Sequence, residues 1–389
     1  MFERRNPAGR ASRVRLAGLV AGWMEVAPSS SNRLKAMEGI RGLAVAMVFF
    51  VHYVALAGEW MPVGSATEQW GRALALLGNR GVDLFFILSG FLIYGSLVRK
   101  HQKYLPFLRR RIERIYPTFL IVLAVYLLLS LFLPAESKLP PDFGAGVRLV
   151  IANVLLLPGI TDIPAIITVA WSLSYEFFFY LTTPFIVAAL RMRRWNADTR
   201  SALLLLTITG LVVLDSLVAL RHLRLVYFLA GAVLFELVEN KLAFSAQSLV
   251  ADALALLLLF VTLALIGTGL LAGSQALGTT LVAFTWFTGR ALQGRGLAAS
   301  AFSFTPLRWL GNMSYSYYLI HGLTLKAIGL FLSPYLSGVG ASPALFWGLL
   351  VPSFCATLVT SMLLFVLVER RWSIRGPHLP NALRQPDTT

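Results

Sequence analysis

An all-α membrane protein of about ten spanning helices, forming one bundle without a separate soluble domain, is the fold this sequence predicts. Three observations carry the prediction. Of the 389 residues 57% are hydrophobic and only 13% charged, and the mean hydropathy of +0.72 lies far above that of globular chains. Apolar stretches of about 20 residues, the length that crosses a bilayer as a helix, recur along the whole chain. The excess of 34 Lys+Arg over 18 Asp+Glu, a formal charge of +16, gathers mainly in the segments between those stretches. The positive-inside rule accounts for that excess, so no nucleic-acid partner is needed to explain it.

In order, the spanning stretches are residues 38–57, 80–97, 115–134, 171–190, 202–219, 224–239, 251–272, 275–290, 308–332 and 345–368. Residues 147–158 are read as a short interfacial or re-entrant piece. If they crossed, the loop "RMRRWNADTR" would face outward. With ten spans, that loop, the N-terminal tail (Arg4, Arg5, Arg10, Arg13, Arg15, Arg33, Lys35), "RKHQKYLPFLRRRIER", the 290–308 loop and "ERRWSIR" all face the cytoplasm. "RHLR" at 221–224 is the exception and falls outside. Residues 1–36 then form a basic cytoplasmic tail, 37–370 the membrane domain and 371–389 a second cytoplasmic tail. The patch "LAGLVAGWMEVA" is too short to span and is interrupted by Glu25, which argues against a signal peptide. The one cysteine, Cys355, excludes an intramolecular disulfide, a zinc cluster and a CxxC redox site, and no metal site is expected.

Charged side chains inside a membrane cost roughly 2.5–3.5 kcal/mol at a helix centre, so those present are functional candidates. "MEGIRGLAVAMVFFVHY" holds Arg41 and His52, eleven positions apart. At 100° per residue both project from one helix face, about 16 Å apart along the axis. Two readings stand: Arg41 snorkels to the headgroups and His52 caps a carbonyl, or both serve a site. "GNRGVDLFFILSGFLIYG" puts Asp83 at the outer mouth of the second helix with Ser89 two turns deeper. "WSLSYEFFFYL" adds Trp171 and Glu176, and "LGNMSYSYYLIHG" puts His321 about 20 Å above residue 308. A carboxylate beside a histidine fixes its tautomer and raises its basicity, the arrangement general-base catalysis needs. On the cytoplasmic side "RRRIERIYP" supplies Arg110, Arg111 and Arg114. The last two share a helix face and suit a ligand with several phosphates, although membrane anchoring explains any one of them equally well.

Taken in this order and spacing, "MEGIRGLAV…H", "GVDLFFILSGFLI", "RRRIERIYP", "WSLSYEFFFYL" and "LGNMSYSYYLIHG" resemble the membrane-bound acyltransferase-3 family across residues 37 to about 325. The resemblance implies an integral membrane O-acyltransferase of the bacterial inner membrane. Such an enzyme takes an acyl group, often acetyl, from cytoplasmic acyl-CoA and delivers it to a hydroxyl of a carbohydrate such as an exopolysaccharide or lipopolysaccharide. Acyl-CoA enters as a substrate, with no permanently bound cofactor. The family's first-helix Arg and His match Arg41 and His52, its donor-binding Arg-x-x-Arg matches Arg111 and Arg114, and its second-helix Asp and Ser match Asp83 and Ser89. Of two glutamates and a glutamine common in the fourth motif only Glu176 remains, with Phe177 and Phe178 in the other places. Glu38 stands where Asp is usual.

The resemblance gives a mechanism with His52 as general base, oriented by Asp83 or Glu176, and Arg41 stabilising the oxyanion or the departing thiolate. Trp171, Ser89 and His321 would bind substrate. Covalent acylation of His52 is the other route. A proton-coupled exporter or flippase would also keep buried Arg, His and Glu, but inverted repeats, frequent in such transporters, are not evident.

Overall fold

The computed structural model describes residues 22–25, 32–218, 220–240, 248–336 and 340–374. Arg4 to Arg15 of the expected N-terminal tail and the C-terminal tail past residue 374 lie outside the described residues. Within them every regular element is helical, apart from an isolated bridge between Pro158 and Thr161.

The first helix, α1 (Asn32–Ala57), is followed by α2 (Ala66–Gly78) and, after a bend at Asn79 and Arg80, by α3 (Gly81–Arg99). No spanning stretch is expected at α2, where Glu68, Gln69 and Arg72 interrupt the apolar residues. This helix forms on a local signal: the Ser65 hydroxyl accepts from the Glu68 N–H at 3.2 Å, capping its first turn. Next, α4 (Tyr104–Phe132) starts eleven residues ahead of the expected span, so Arg110, Arg111 and Arg114 stand on its first three turns. At twelve residues, or about 18 Å, α5 (Phe143–Val154) is too short to cross.

The remainder comprises α6 (Trp171–Ala189), α7 (Ala197–Val218), α8 (Val226–Glu239), α9 (Leu249–Gly267) and α10 (Gly273–Ala291), then α11 (Gly296–Phe302) and α12 (Thr305–Asn312). A break at Met313 separates α12 from α13 (Ser314–Leu336), which puts His321 seven residues, about 10 Å, above a helix start rather than the expected 20 Å. The last helix, α14 (Pro343–Leu364), winds on as a π-helix over Phe365–Ser373.

Among the described residues seven helical stretches, not ten, are long and apolar enough to cross a membrane. The three expected spans that fall short are α6, α8 and α10. With fourteen residues α8 reaches only about 21 Å. The other two are long enough, but Ser, Tyr and Glu in α6, and Gln, Thr and Arg in α10, dilute their apolar character. Burial explains why they tolerate this: α8 is buried along nearly its whole length, and its neighbours rather than lipid surround it.

Close packing of α3 against α8 sets the frame for the site. The two run parallel, and a Cβ on Gly90 would stand 2.1 Å from the Phe228 carbonyl oxygen while one on Gly231 would stand 2.1 Å from that of Ile87. Only glycine permits that approach, as small residues do at membrane helix crossings. Charged pairs lock one end of this pair. Glu236, fully buried, accepts two bonds from Arg200, one from Tyr94 at 2.6 Å and one from Asn240 at 2.9 Å, so its charge is neutralised and its oxygens are satisfied. Glu239 pairs with Arg33 of α1 and Arg99 of α3. From that end α1 runs antiparallel to α3, with Gly81 against Ala44.

Candidate active site

A cavity of about 190 Å³ opens between α1, α3, α4, α6 and α13. Its length follows from α3: Val82 and Ser96 both line it, fourteen positions apart, so it runs about 21 Å along the helix. The walls are mostly apolar, including Phe85, Phe86, Leu92 and Leu173, and charge enters at four side chains: Arg41, Arg111, Arg114 and Glu176.

Each cation is held in a different way. Arg41 donates from Nη2 to Ser314 Oγ at 2.8 Å, so the first turn of α13 aims it. Arg111 is held by its faces, lying 5.5 Å over the Phe107 ring and 5.7 Å from that of Tyr180. Its Nε is buried with no hydrogen-bond partner among the described residues. Arg114 lies 5.6 Å over the Tyr315 ring and forms a 2.7 Å ion pair with Glu369. Glu176 accepts from Ser89 Oγ at 2.7 Å and from the Tyr180 hydroxyl. Three guanidinium groups therefore converge on one slot in which, among the described residues, Glu176 is the single carboxylate. Such a slot accepts an elongated anion, with guanidinium donors matched to phosphate oxygens.

Glu369, Tyr180, Ser314 and Tyr318 were absent from the sequence reading. Glu369 is the most consequential: fully buried, it accepts from the Ser316 N–H at 3.0 Å and Ser316 Oγ at 2.6 Å while pairing with Arg114. It lies in the π-helical segment, a geometry frequent at functional sites. In sequence it stands in "VERRWS" beside two arginines and reads as part of a basic helix end. The one available signal was an acidic residue directly following an apolar run.

The remaining expected site residues divide into separate groups. His52 and His321 form a pair with ring centroids 4.9 Å apart. Tyr318, which lines the cavity, has its ring 6.2 Å from that of His321, so the pair stands one side chain away from the slot. Neither Asp83 nor Glu176 pairs with His52 among the described residues. Asp83, expected at an outer mouth, is fully buried between Arg80 and Arg224, each 3.5 Å away. Arg224 in turn lies 5.3 Å over the Trp171 ring, so this guanidinium is committed to a buried carboxylate and an aromatic face. Trp171 packs edge-on to Tyr175 outside the slot, and Arg110 turns away from it to donate to Gln102. Among the described residues no three His, Cys, Asp or Glu side chains group as a metal site would require.

The fold and site define a membrane-embedded helical bundle with a narrow cationic slot and a nearby imidazole pair. Sequence comparison gives the class its name. The family model described as an acyltransferase domain matches residues 34–366, and the chain belongs to this acyltransferase-3 family of enzymes that transfer acyl groups. It is similar to acyltransferase MdmB of Streptomyces mycarofaciens, 36% identical over 166 residues covering 40% of each chain. It also resembles exopolysaccharide production protein ExoZ of Rhizobium meliloti, 28% identical over 44% of this chain and 54% of that one. Peptidoglycan O-acetyltransferase OatA of Listeria monocytogenes is 25% identical over 75% of this chain and 49% of its own length. The chain spans about half the length of these curated relatives. No solved structure matches it.

Proposed function

We propose that this protein takes an acyl group, acetyl in the simplest case, from acyl-CoA and esterifies a hydroxyl of a carbohydrate such as an exopolysaccharide or lipopolysaccharide. The observation that carries the reading is the convergence of Arg41, Arg111 and Arg114 on one slot about 21 Å long. A donor with phosphates at one end and a thioester on a flexible arm matches that shape. The phosphates bind Arg111 and Arg114, and the arm extends past Leu92 and Phe85 toward Tyr318. There the acceptor oxygen attacks the thioester carbonyl, the C–O bond forms and the C–S bond breaks. His52 takes the hydroxyl proton and returns it to the thiolate, a good leaving group because its conjugate thiol has a pKa of about 8.5. Arg41, held on Ser314 two turns of α13 away from His321, joins Arg111 and Arg114 on the donor's anionic part. The names of the relatives, an exopolysaccharide production protein and a peptidoglycan O-acetyltransferase, support a glycan acceptor.

We place the protein in a bacterial cytoplasmic membrane with both basic ends in the cytoplasm, where acyl-CoA is made, and assign it no nucleic-acid partner. Purified protein in nanodiscs, given acetyl-CoA and a panel of bacterial oligosaccharides, tests the reading. The expected result is thiol release together with an acetylated sugar, abolished by His52→Ala. Sugar-independent behaviour with no acyl product from any donor would overturn it.

A further inference from the structure

His321 is fully buried, and its Nδ1 lies 2.8 Å from the carbonyl oxygen of Tyr317. A carbonyl only accepts, so Nδ1 carries the hydrogen and the neutral ring presents a bare lone pair at Nε2. That Nε2 is buried and has no hydrogen-bond partner among the described residues. The tautomer is held firmly. Tyr317 stacks on the ring at 5.3 Å and 16°, its own hydroxyl tied to Thr357 at 2.8 Å, and Tyr318 packs from another side. An unsatisfied buried acceptor of this kind costs about 1–3 kcal/mol and so calls for an explanation.

What faces it is His52. The rings lie 4.9 Å apart at 69° without a hydrogen bond between them, near enough that a turn of the His52 ring brings one of its nitrogens within hydrogen-bond reach of that Nε2. His52 is half-buried and has no hydrogen-bond or ion-pair partner among the described residues, His321 included. The titratable side chains against the pair are Tyr317 and Tyr318, both on α13; no carboxylate or cation pairs with either ring among the described residues.

We propose that His321 is the positioning residue of His52: as the His52 ring turns to its working orientation, His321 Nε2 accepts the hydrogen of one His52 nitrogen, which leaves the other bare and aimed at the acceptor hydroxyl. The inference rests on the acyl-transfer reading above and assigns His321 a part other than substrate binding. A carboxylate usually holds a catalytic histidine in this way, but here it would add a buried charge, and a neutral imidazole sets the tautomer without one. Protons balance through the cycle. The hydroxyl proton passes to His52 as the C–O bond forms, the resulting imidazolium is stabilised by its hydrogen bond to His321, and the proton leaves with the thiolate as the C–S bond breaks.

Two substitutions separate this role from a structural one. In His321→Asn the amide nitrogen replaces Nδ1 and keeps the bond to Tyr317, but nothing replaces Nε2. In His321→Gln the amide oxygen reaches the Nε2 position and accepts from His52. The expected result is a fall of about 100-fold in kcat for Asn, a donor KM changed by less than about threefold, and recovery of about tenfold by Gln. Equal losses in both variants, or a loss confined to KM, would overturn the proposal. Nitrogen-15 NMR of histidine-labelled protein in bilayers, with His52→Ala and His321→Asn used to assign the signals, reads the pair without turnover. The proposal expects His321 as the Nδ1–H tautomer with its Nε2 resonance moved by His52→Ala; a protonated Nε2, or a resonance indifferent to His52, refutes it. If wild type turns over no acyl donor while the NMR result holds, the acyl-transfer reading fails and the pairing stands.

Discussion

Replacing Glu369 tests whether the cationic slot is built from behind. In Glu369→Ala, Arg114 loses its carboxylate at 2.7 Å, and the Ser316 N–H and hydroxyl lose their shared acceptor. Removing one partner of a buried pair costs about 3–5 kcal/mol. Arg114 retains 30% side-chain exposure toward the cavity, where solvent compensates part of the loss, so about 2–3 kcal/mol of stability is the expected cost. Glu369→Gln keeps an oxygen for Ser316 and removes only the charge, which lowers the expected cost to about 1–2 kcal/mol. In both variants Arg114 is no longer aimed, and KM for acyl-CoA rises by about tenfold, equivalent to about 1.4 kcal/mol. Thermal melts in detergent and initial-rate kinetics measure the two effects. The decisive form is a double-mutant cycle with Arg114→Ala, in which the coupling is at least about 1.5 kcal/mol. Additivity within about 0.5 kcal/mol refutes the reasoning, because residues that share an interaction do not add.

Further outcomes follow from the same geometry. Arg111→Lys raises the donor KM nearly as much as Arg111→Ala, because a lysine cannot lie flat against Phe107 and Tyr180 or offer two parallel donors; rescue by lysine in initial-rate assays argues against the stacked arrangement. Gly231→Ala forces α8 away from α3, since its Cβ would meet the Ile87 carbonyl oxygen at 2.1 Å, and costs about 1–3 kcal/mol; an unchanged melting temperature contradicts that packing. In the loop between α5 and α6, Arg221 holds the Asp162 carboxyl below its ordinary range. This pairing is complete above the usual carboxylate pKa of about 3.9 and is lost as pH falls through the lowered value, so limited proteolysis of the loop should be unchanged from neutral pH down to about 4 and quicken only below it.

The fold class was legible because it rests on solvent: a chain this apolar with its basic residues between apolar runs has few alternatives. The count of spans was less legible. Inner helices such as α8 look like spans to a hydropathy scan, yet their length is set by neighbours rather than by lipid. Within the site, the helical period put Arg111 and Arg114 on one face, and both line the slot together with Arg41, Ser89 and Glu176. Partnerships between distant segments were not readable. Nothing local tells that His52 meets His321, that Asp83 is taken by Arg80 and Arg224, or that Glu369 reaches back to Arg114. The break at Met313 also escaped notice, because apolar and polar residues continue across it without a proline or glycine signal at that position.

The central claim is that one slot lined by Arg41, Arg111 and Arg114 binds the acyl donor, and equilibrium binding of radiolabelled acetyl-CoA to the purified protein in nanodiscs tests it most directly. The account predicts saturable binding that free coenzyme A displaces, weakened about tenfold or more by Arg111→Ala and retained in His52→Ala, which loses turnover alone. Binding that is absent from wild type, or indifferent to Arg111 and Arg41, would contradict it.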